Sequence, residues 1–262
     1  KAGIKPAMKV LLVGNHKPSL IYTRNKLKAC EKVGAQCEII HLDELTTEEK
    51  LKNLLKEIAN DSKVHGSFVQ LPLPQHLKHL DIGPLIPPEK DVDGFHPLNI
   101  YKMLKNHESA ALLPCTPQGI MQILSSYQIP VEGKKVVVIG RSMIVGRPMT
   151  IMLTNANATV THCNSYTTDL KEYTQSADIV VTAVGKTKFL TPEYFLNQKT
   201  VVIDVGMNQD ENGRLCGDCD PESYEKLLAY TPVPGGVGPM TIHCLIQNLL
   251  KAAEISFKPE NL

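Results

Sequence analysis

Tyr22 and Lys26 stand four residues apart, a spacing that brings two side chains to one face of a helix near its start. A phenol and an amine there would face the crevice that opens at the carboxyl ends of a parallel sheet. Arg24 and Lys28 are equally cationic neighbours, and from spacing alone a solvated lysine is the simpler account of Lys26. The strand-like run Ser67–Val69 ends at Gln70, again the end of a strand where open α/β sheets hold functional side chains. Asp91-Val92-Asp93-Gly94 follows on the loop beyond. A carboxylate there can accept hydrogen bonds from a ligand or close an ordinary Asp-Gly turn.

A second constellation begins after the apolar run Lys135–Ile139. Gly140-Arg-Ser-Met-Ile-Val-Gly146-Arg-Pro148 reads as a glycine-bounded strand-to-helix turn, with Pro148 suited to a first helical turn. Such a turn lets backbone N–H groups and the helix dipole meet a pyrophosphate. The spacing departs from Gly-x-Gly-x-x-Gly, so a tight turn without a ligand stands beside the dinucleotide reading. The next strand ends Thr161-His-Cys-Asn-Ser165, without the carboxylate that bonds the ribose 2′-hydroxyl in NAD sites. Arg141 and Ser165 supply instead a guanidinium fork and a small hydroxyl donor, the groups a 2′-phosphate needs. The expected cofactor is therefore NADP rather than NAD.

These residues need elements to hold them. Strand Lys9–Gly14, helix Leu20–Val33, strand Gln36–His41, helix Thr46–Asn60 and strand Gly66–Gln70 alternate in the first half, as in a parallel sheet with covering helices. Thr46 followed by Glu49 predicts a capping box on the second helix. From Leu71 to Pro117 eight prolines predict a structured loop region broken by short helices. A helix over about Pro117–Tyr127 leads to four short runs, Val136–Gly140, Ala158–Thr161, Ile179–Ala183 and Val201–Val205, with the composition of buried parallel strands. Thr231–Pro239 carries too much Pro and Gly for a regular element, and Met240–Ile255 predicts a closing helix.

A chain of 262 residues suffices for two domains with cores of their own. Its 28 basic and 27 acidic side chains leave a formal charge of +1, without long blocks of one sign, which argues against nucleic acid or a membrane surface as partner. No apolar run reaches the length of a membrane span, and Lys1–Met8 lacks the core of a signal peptide. Seven cysteines, an odd number, suit a reducing compartment, so a cytoplasmic protein is expected. Cys216 and Cys219 have a spacing used by zinc and by redox dithiols. No second ligand pair accompanies them, and the polar, hairpin-like stretch around them makes the spacing coincidental; no metal is expected.

In their order along the chain these motifs resemble the bifunctional methylenetetrahydrofolate dehydrogenase/methenyltetrahydrofolate cyclohydrolase family. The resemblance rests on Tyr22-Thr-Arg-Asn-Lys26, Val69-Gln-Leu-Pro-Leu-Pro74, Lys90-Asp-Val-Asp-Gly-Phe95, Pro114-Cys-Thr-Pro-Gln-Gly119, Gly140-Arg-Ser-Met-Ile-Val-Gly146 and Thr231-Pro-Val-Pro-Gly-Gly-Val-Gly-Pro-Met-Thr241. It implies a two-lobed α/β fold with a cleft between the lobes. Residues 1–115 with 244–262 would form the folate-binding catalytic domain, and 116–243 a Rossmann-like NADP-binding domain with a parallel sheet. The implied chemistry is NADP-dependent oxidation of 5,10-methylenetetrahydrofolate to the methenyl form and hydrolysis of that to 10-formyltetrahydrofolate, a step of one-carbon metabolism that feeds purine biosynthesis. By resemblance Lys26 is the general acid/base, Gln70 orients it, Tyr22 packs on the folate and Asp93 accepts hydrogen bonds from the pterin. Leu71 and Pro72 join the folate site, and Pro234, Gly235 and Gly236 form a wall between folate and cofactor. The implied cofactor contacts are Gly140, Arg141, Ser142, Ile144, Gly146, Ser165 and Gly185. A homodimer formed through the cofactor lobe is implied as well.

Several positions depart from the family pattern. Tyr101 stands where glycine is usual, Asn164 where histidine is common, Tyr166 where lysine is common, and His243, expected to open the last helix, where alanine is common. Family members generally carry an N-terminal helix before the first strand, and Lys1 lies almost at that strand; either that helix is trimmed from this sequence or it is absent, and its absence would leave apolar sheet surface exposed. Two other readings compete. An NADP dehydrogenase of another carbonyl or hydroxy-acid substrate would make no special use of Lys26. A catalytically impaired relative that only binds nucleotide or folate would have lost Lys26, Gln70 or Asp93, and all three are present.

Overall fold

Strand β1 (Ala7–Val13) is an almost unbroken apolar run. In the computed structural model, which describes residues 5–196 and 198–257, it is the middle strand of a parallel three-stranded sheet. Its neighbours are β2 (Gln36–Leu42) and β3 (Gly66–Gln70). Helices α1 (Lys17–Lys32) and α2 (Glu48–Asn60) make the two crossovers. Met8, Val10 and Phe68 face one core with Cys30, Leu245 and Leu249, while Leu11, Val13 and Val69 face another with Leu51, Leu55 and Ile58. Both faces of the sheet are therefore covered, as an all-parallel sheet requires. The short helix α3 (Pro97–Leu104) lies in the proline-rich stretch that follows.

The chain forms two compact units, Lys1–Cys115 with Ile242–Leu262, and Thr116–Thr241. The second contains α4 (Cys115–Ser126) from its second residue onward, β4 (Lys135–Ile139), α5 (Gly146–Asn155), β5 (Thr159–Cys163), α6 (Leu170–Ser176), β6 (Ile179–Thr182) and β7 (Val201–Asp204). A small antiparallel ribbon, β8 (Asn208–Gln209) with β9 (Leu215–Cys216), precedes β10 (Ala229–Tyr230). The main sheet is parallel throughout, in the order β10-β7-β6-β4-β5. The chain leaves β4 toward one side to make β5 and returns to the other side for β6. That reversal puts the switch point, where open α/β sheets bind ligands, at the carboxyl ends of β4 and β6. The last helix, α7 (Val237–Phe257), begins in the second unit and continues into the first.

The elements depart from expectation mainly at their ends. Helix α1 begins three residues earlier than periodicity suggested, because Pro18 fits its first turn. Helix α2 is capped by Thr47, whose hydroxyl accepts from Lys50 N at 3.2 Å, so the Thr46–Glu49 capping box is not formed. The Thr46 N–H is already bonded to Asp43 O in the preceding turn, and its buried hydroxyl has no partner among the described residues. Strand β5 runs two residues past Thr161. Helix α7 takes in Val237-Gly238-Pro239, assigned above to irregular chain; Pro239 sits in the first turn, where a missing N–H is harmless. His243 therefore lies inside that helix, on an exposed face, rather than at its start. All seven cysteines are free. Among the described residues no helix is long and apolar enough to cross a membrane.

Candidate functional site

The buried stripe of α1 is Ser19, Thr23, Lys26 and Cys30, small or polar groups where a packing helix would ordinarily carry leucines. Lys26 is only 8% exposed, which removes the solvated-lysine account. Its Nζ donates to Gln70 Oε1 at 3.1 Å and lies 3.9 Å from the centroid of the Phe68 ring. Lysine has only donors to offer, so the Gln70 amide must turn its oxygen toward it. The amide nitrogen is engaged on its other side, donating to Leu71 O at 2.9 Å. Ser19 Oγ donates to that same carbonyl at 3.2 Å. Among the described residues no carboxylate forms an ion pair with Lys26. Desolvating an ammonium against an amide and a ring alone is unfavourable to stability, and such a position is where chemistry is to be sought. Tyr22, one turn earlier on α1, is half-buried, and burial pushes its hydroxyl up. Leu71 and Pro72 lie exposed just past β3.

The two aspartates of the following loop divide their work. Asp91 is 2% exposed; its carboxylate accepts from Gly94 N at 3.1 Å, His96 N at 2.6 Å and Asn99 Nδ2 at 3.1 Å. Burial pushes its carboxyl up against the pull of those donors. Asp91 is thus the turn-former. Asp93 is half-buried, and with Lys26 it acts, in the opposite sense, on the Cys115 thiol, which burial pushes well up. Gly94 has φ +82°, and a Cβ on it would lie 2.3 Å from the Leu113 carbonyl carbon, so only glycine lets the loop rest against residues 113–114. Asn248 of α7 ties both segments down, donating to Val92 O at 2.9 Å and Leu113 O at 2.8 Å. Neither Asp91 nor Asn248 was singled out from the sequence as a support. The Asp-x-Asp spacing was the one available signal, and it does not say which carboxylate turns inward.

In the second unit the turn after β4 folds tightly on itself. A Cβ at Gly140 would lie 2.4 Å from Ala183 O, and one at Gly146 would lie 1.8 Å from Gly140 O. The turns leaving β4 and β6 therefore meet backbone to backbone at the switch point. Ser142 Oγ accepts from Val145 N at 3.1 Å and Gly146 N at 3.4 Å, capping the entry to α5. Ile144 is exposed on the same turn, and Gly185, exposed after β6, has φ +74°. Arg141 and Ser165 are both exposed. The Arg141 guanidinium lies over the Tyr166 ring, 5.2 Å from its centroid, and the 164–167 turn is closed by Tyr166 N to Asn164 Oδ1 and Asn164 N to Thr167 Oγ1. The fork thus rests on the ring of the residue that follows Ser165, at a position where lysine is common in the family. A glycine cradle at the switch point, with a guanidinium on the same turn and a hydroxyl just past the end of the next strand, fits a dinucleotide bearing a 2′-phosphate. Pro234, Gly235 and Gly236 belong to this unit; the two glycines line a cavity of about 400 Å³ with Tyr127, Ile203 and Tyr230 among others.

This combination defines a nicotinamide-dependent oxidoreductase built of two α/β units, one carrying the cofactor cradle and the other a buried lysine. Residues 1–93 match the family model for the tetrahydrofolate dehydrogenase/cyclohydrolase catalytic domain, and residues 114–257 match that for its NAD(P)-binding domain. The bifunctional protein FolD of Ligilactobacillus salivarius is 48% identical over 259 residues, covering 98% of this chain and 90% of that protein. Among solved structures, the bifunctional enzyme FolD from Campylobacter jejuni superposes with a TM-score of 0.91 at 43% identity, over 97% of this chain and 89% of that one. The Trypanosoma brucei methylenetetrahydrofolate dehydrogenase-cyclohydrolase, complexed with NADP cofactor and inhibitor, gives 0.90 at 34% identity, over 98% and 89%. The chain belongs to the tetrahydrofolate dehydrogenase/cyclohydrolase family.

Proposed function

We propose that this chain oxidises 5,10-methylenetetrahydrofolate to the methenyl cation with NADP as acceptor, and then hydrolyses that cation to 10-formyltetrahydrofolate. Membership of the family supports the pair of activities. The observation that supports the assignment of residues is the 3.1 Å hydrogen bond from Lys26 Nζ to Gln70 Oε1 at a site shielded from water.

NADP, when bound, supplies the hydride acceptor. The turn Gly140–Gly146, with Ser142 and Ile144, would cradle the dinucleotide; Arg141 and Ser165 would hold its 2′-phosphate, and Gly185 would lie against it from the β6 side. In the first unit Asp93 would accept hydrogen bonds from pterin N–H groups, Tyr22 would pack on the ring, and Leu71 and Pro72 would bound the folate. Lys26, with its amine unprotonated, would take one proton from the water that adds to the methenyl carbon and return it to the ring nitrogen as the bond from that nitrogen to the carbon breaks, while the remaining hydroxyl proton leaves to solvent as the formyl carbonyl forms. Gln70 holds the amine still for both transfers, which is what positioning contributes to such a step.

The test is Lys26→Met, which keeps the buried stem and removes the amine. NADPH production should continue while methenyltetrahydrofolate accumulates, with hydrolysis slowed by about 10²–10⁴-fold. A variant that hydrolyses the methenyl form at the full rate would remove Lys26 from the mechanism. A cytoplasmic homodimer is the proposed setting, supported by the family resemblance and by seven free thiols, which suit a reducing compartment. Light scattering on the purified chain should give twice the chain mass; a single-chain mass would overturn the dimer.

A further inference from the structure

The loop that leaves β6 is held by a side chain that no part of the reading above uses. Asp218 is fully buried. Its Oδ2 accepts from Val184 N at 2.7 Å and Thr182 Oγ1 at 3.0 Å. Its Oδ1 accepts from Gly185 N at 3.0 Å, Lys186 N at 3.0 Å and Asn208 Nδ2 at 2.9 Å. Three consecutive backbone N–H groups thus converge on one carboxylate, the nest geometry that elsewhere receives anions. Gly206 makes room for it, since a Cβ there would lie 2.4 Å from Asp218 Oδ1. Asp218 is itself anchored, its N–H donating at 3.0 Å to Asp204 Oδ1 at the end of β7.

Gly185 and Lys186 are exposed, and water could satisfy their N–H groups without any internal acceptor. A buried carboxylate is a costly device for that purpose, but it does something water cannot. In a trans peptide the N–H and C=O point in opposite directions. Fixing the N–H groups of residues 184–186 inward therefore turns the carbonyls of residues 183–185 away from Asp218. The first of these, Ala183 O, is the atom packed against Gly140.

We propose that Asp218 is a positioning residue for the dehydrogenase step, setting the peptide planes of the β6 exit loop so that Val184 and Gly185 present their carbonyls to the nicotinamide half of the dinucleotide. The proposal rests on the cofactor-site reading above. Asp218→Asn keeps the shape but sets an NH₂ group against N–H donors on one side of the nest.

The experiment compares wild type and D218N in four measurements: thermal unfolding, hydrolysis of methenyltetrahydrofolate without nucleotide, calorimetric binding of adenosine 2′,5′-bisphosphate, and NADP-dependent turnover. D218N should unfold within a few degrees of wild type, hydrolyse the methenyl substrate normally and bind the bisphosphate within about threefold, while dehydrogenase kcat falls by about 10²-fold. Full dehydrogenase turnover in D218N overturns the proposal, as does loss of bisphosphate affinity in step with turnover, which would mean a general loosening of the unit. If wild type itself does not bind the bisphosphate, the cofactor-site reading fails and takes this proposal with it. Should D218N not fold, Thr182→Val removes a single donor to Oδ2; several-fold slower turnover with normal hydrolysis supports the role, and unchanged turnover overturns it.

Discussion

At Lys26 the environment argues more strongly than the residue type. An ammonium drawn out of water and given an amide oxygen and a ring face would be replaced by an apolar side chain if stability alone decided. The four-residue spacing of Tyr22 and Lys26 was legible, and so was Gln70 at a strand end. That α1 would turn its polar stripe inward was not, because Ser19, Thr23 and Lys26 do not make the helix's most apolar face. In the same way Asp91 and Asp93 are alike in sequence, and only the donors gathered on Asp91 separate the turn-former from the half-buried neighbour. On the cofactor side, Arg141→Ala should cost about 1.5–3 kcal/mol toward NADP, roughly a tenfold to hundredfold loss of kcat/KM. The value for NAD should change little. Equal losses with the two cofactors would show that the guanidinium does not meet the 2′-phosphate.

The elements fall where hydrophobic period and turn chemistry put them, and their ends are decided by single hydrogen bonds. The start of α2 is the clearest case. Thr46 and Thr47 are chemically identical candidates for the cap, and the bond from Thr46 N to Asp43 O leaves the role to Thr47. Removing that cap by Thr47→Ala should lower stability by about 1 kcal/mol. Thr46→Val replaces a buried hydroxyl that lacks a partner, so it should be neutral or stabilising by up to about 1 kcal/mol. Denaturant melts of the two variants check both signs at once; a destabilising Thr46→Val would restore the capping box. Helix α7 shows the same dependence at larger scale, since Asn248 acquires its role only where Val92 and Leu113 present their carbonyls to it.

Across the whole molecule, each unit contains a buried carboxylate pushed up chiefly by burial, Asp91 in the first and Asp204 in the second. A carboxyl whose folded value lies above its unfolded value contributes stability that is fully present below the unfolded value. That stability is lost as pH rises through the folded one. Asp91→Asn removes this loss. The destabilisation it causes should therefore be largest near about pH 4 and shrink toward about pH 7, read from unfolding free energies at the two pH values. A destabilisation that grows with pH would mean that the hydrogen bonds to Asp91, rather than its burial, dominate.

Much of the molecule could be read from the chain itself. The alternation of strand and helix, the glycine-bounded turn after β4, the missing acid at the end of β5 and the order of the six motifs pointed to two α/β units, NADP and the family. Those signals are local, carried by side-chain period and by turn residues within a few positions of one another. The partners of Gln70, Asp91, Asn248 and Asp218 are of another kind. Lys26 bonds a residue 44 positions away, and Asp218 gathers N–H groups 32 to 34 positions away. Strand order, register and the direction of peptide planes bring such groups together, and only the tertiary structure decides them, because a backbone N–H leaves no mark on the amino-acid sequence.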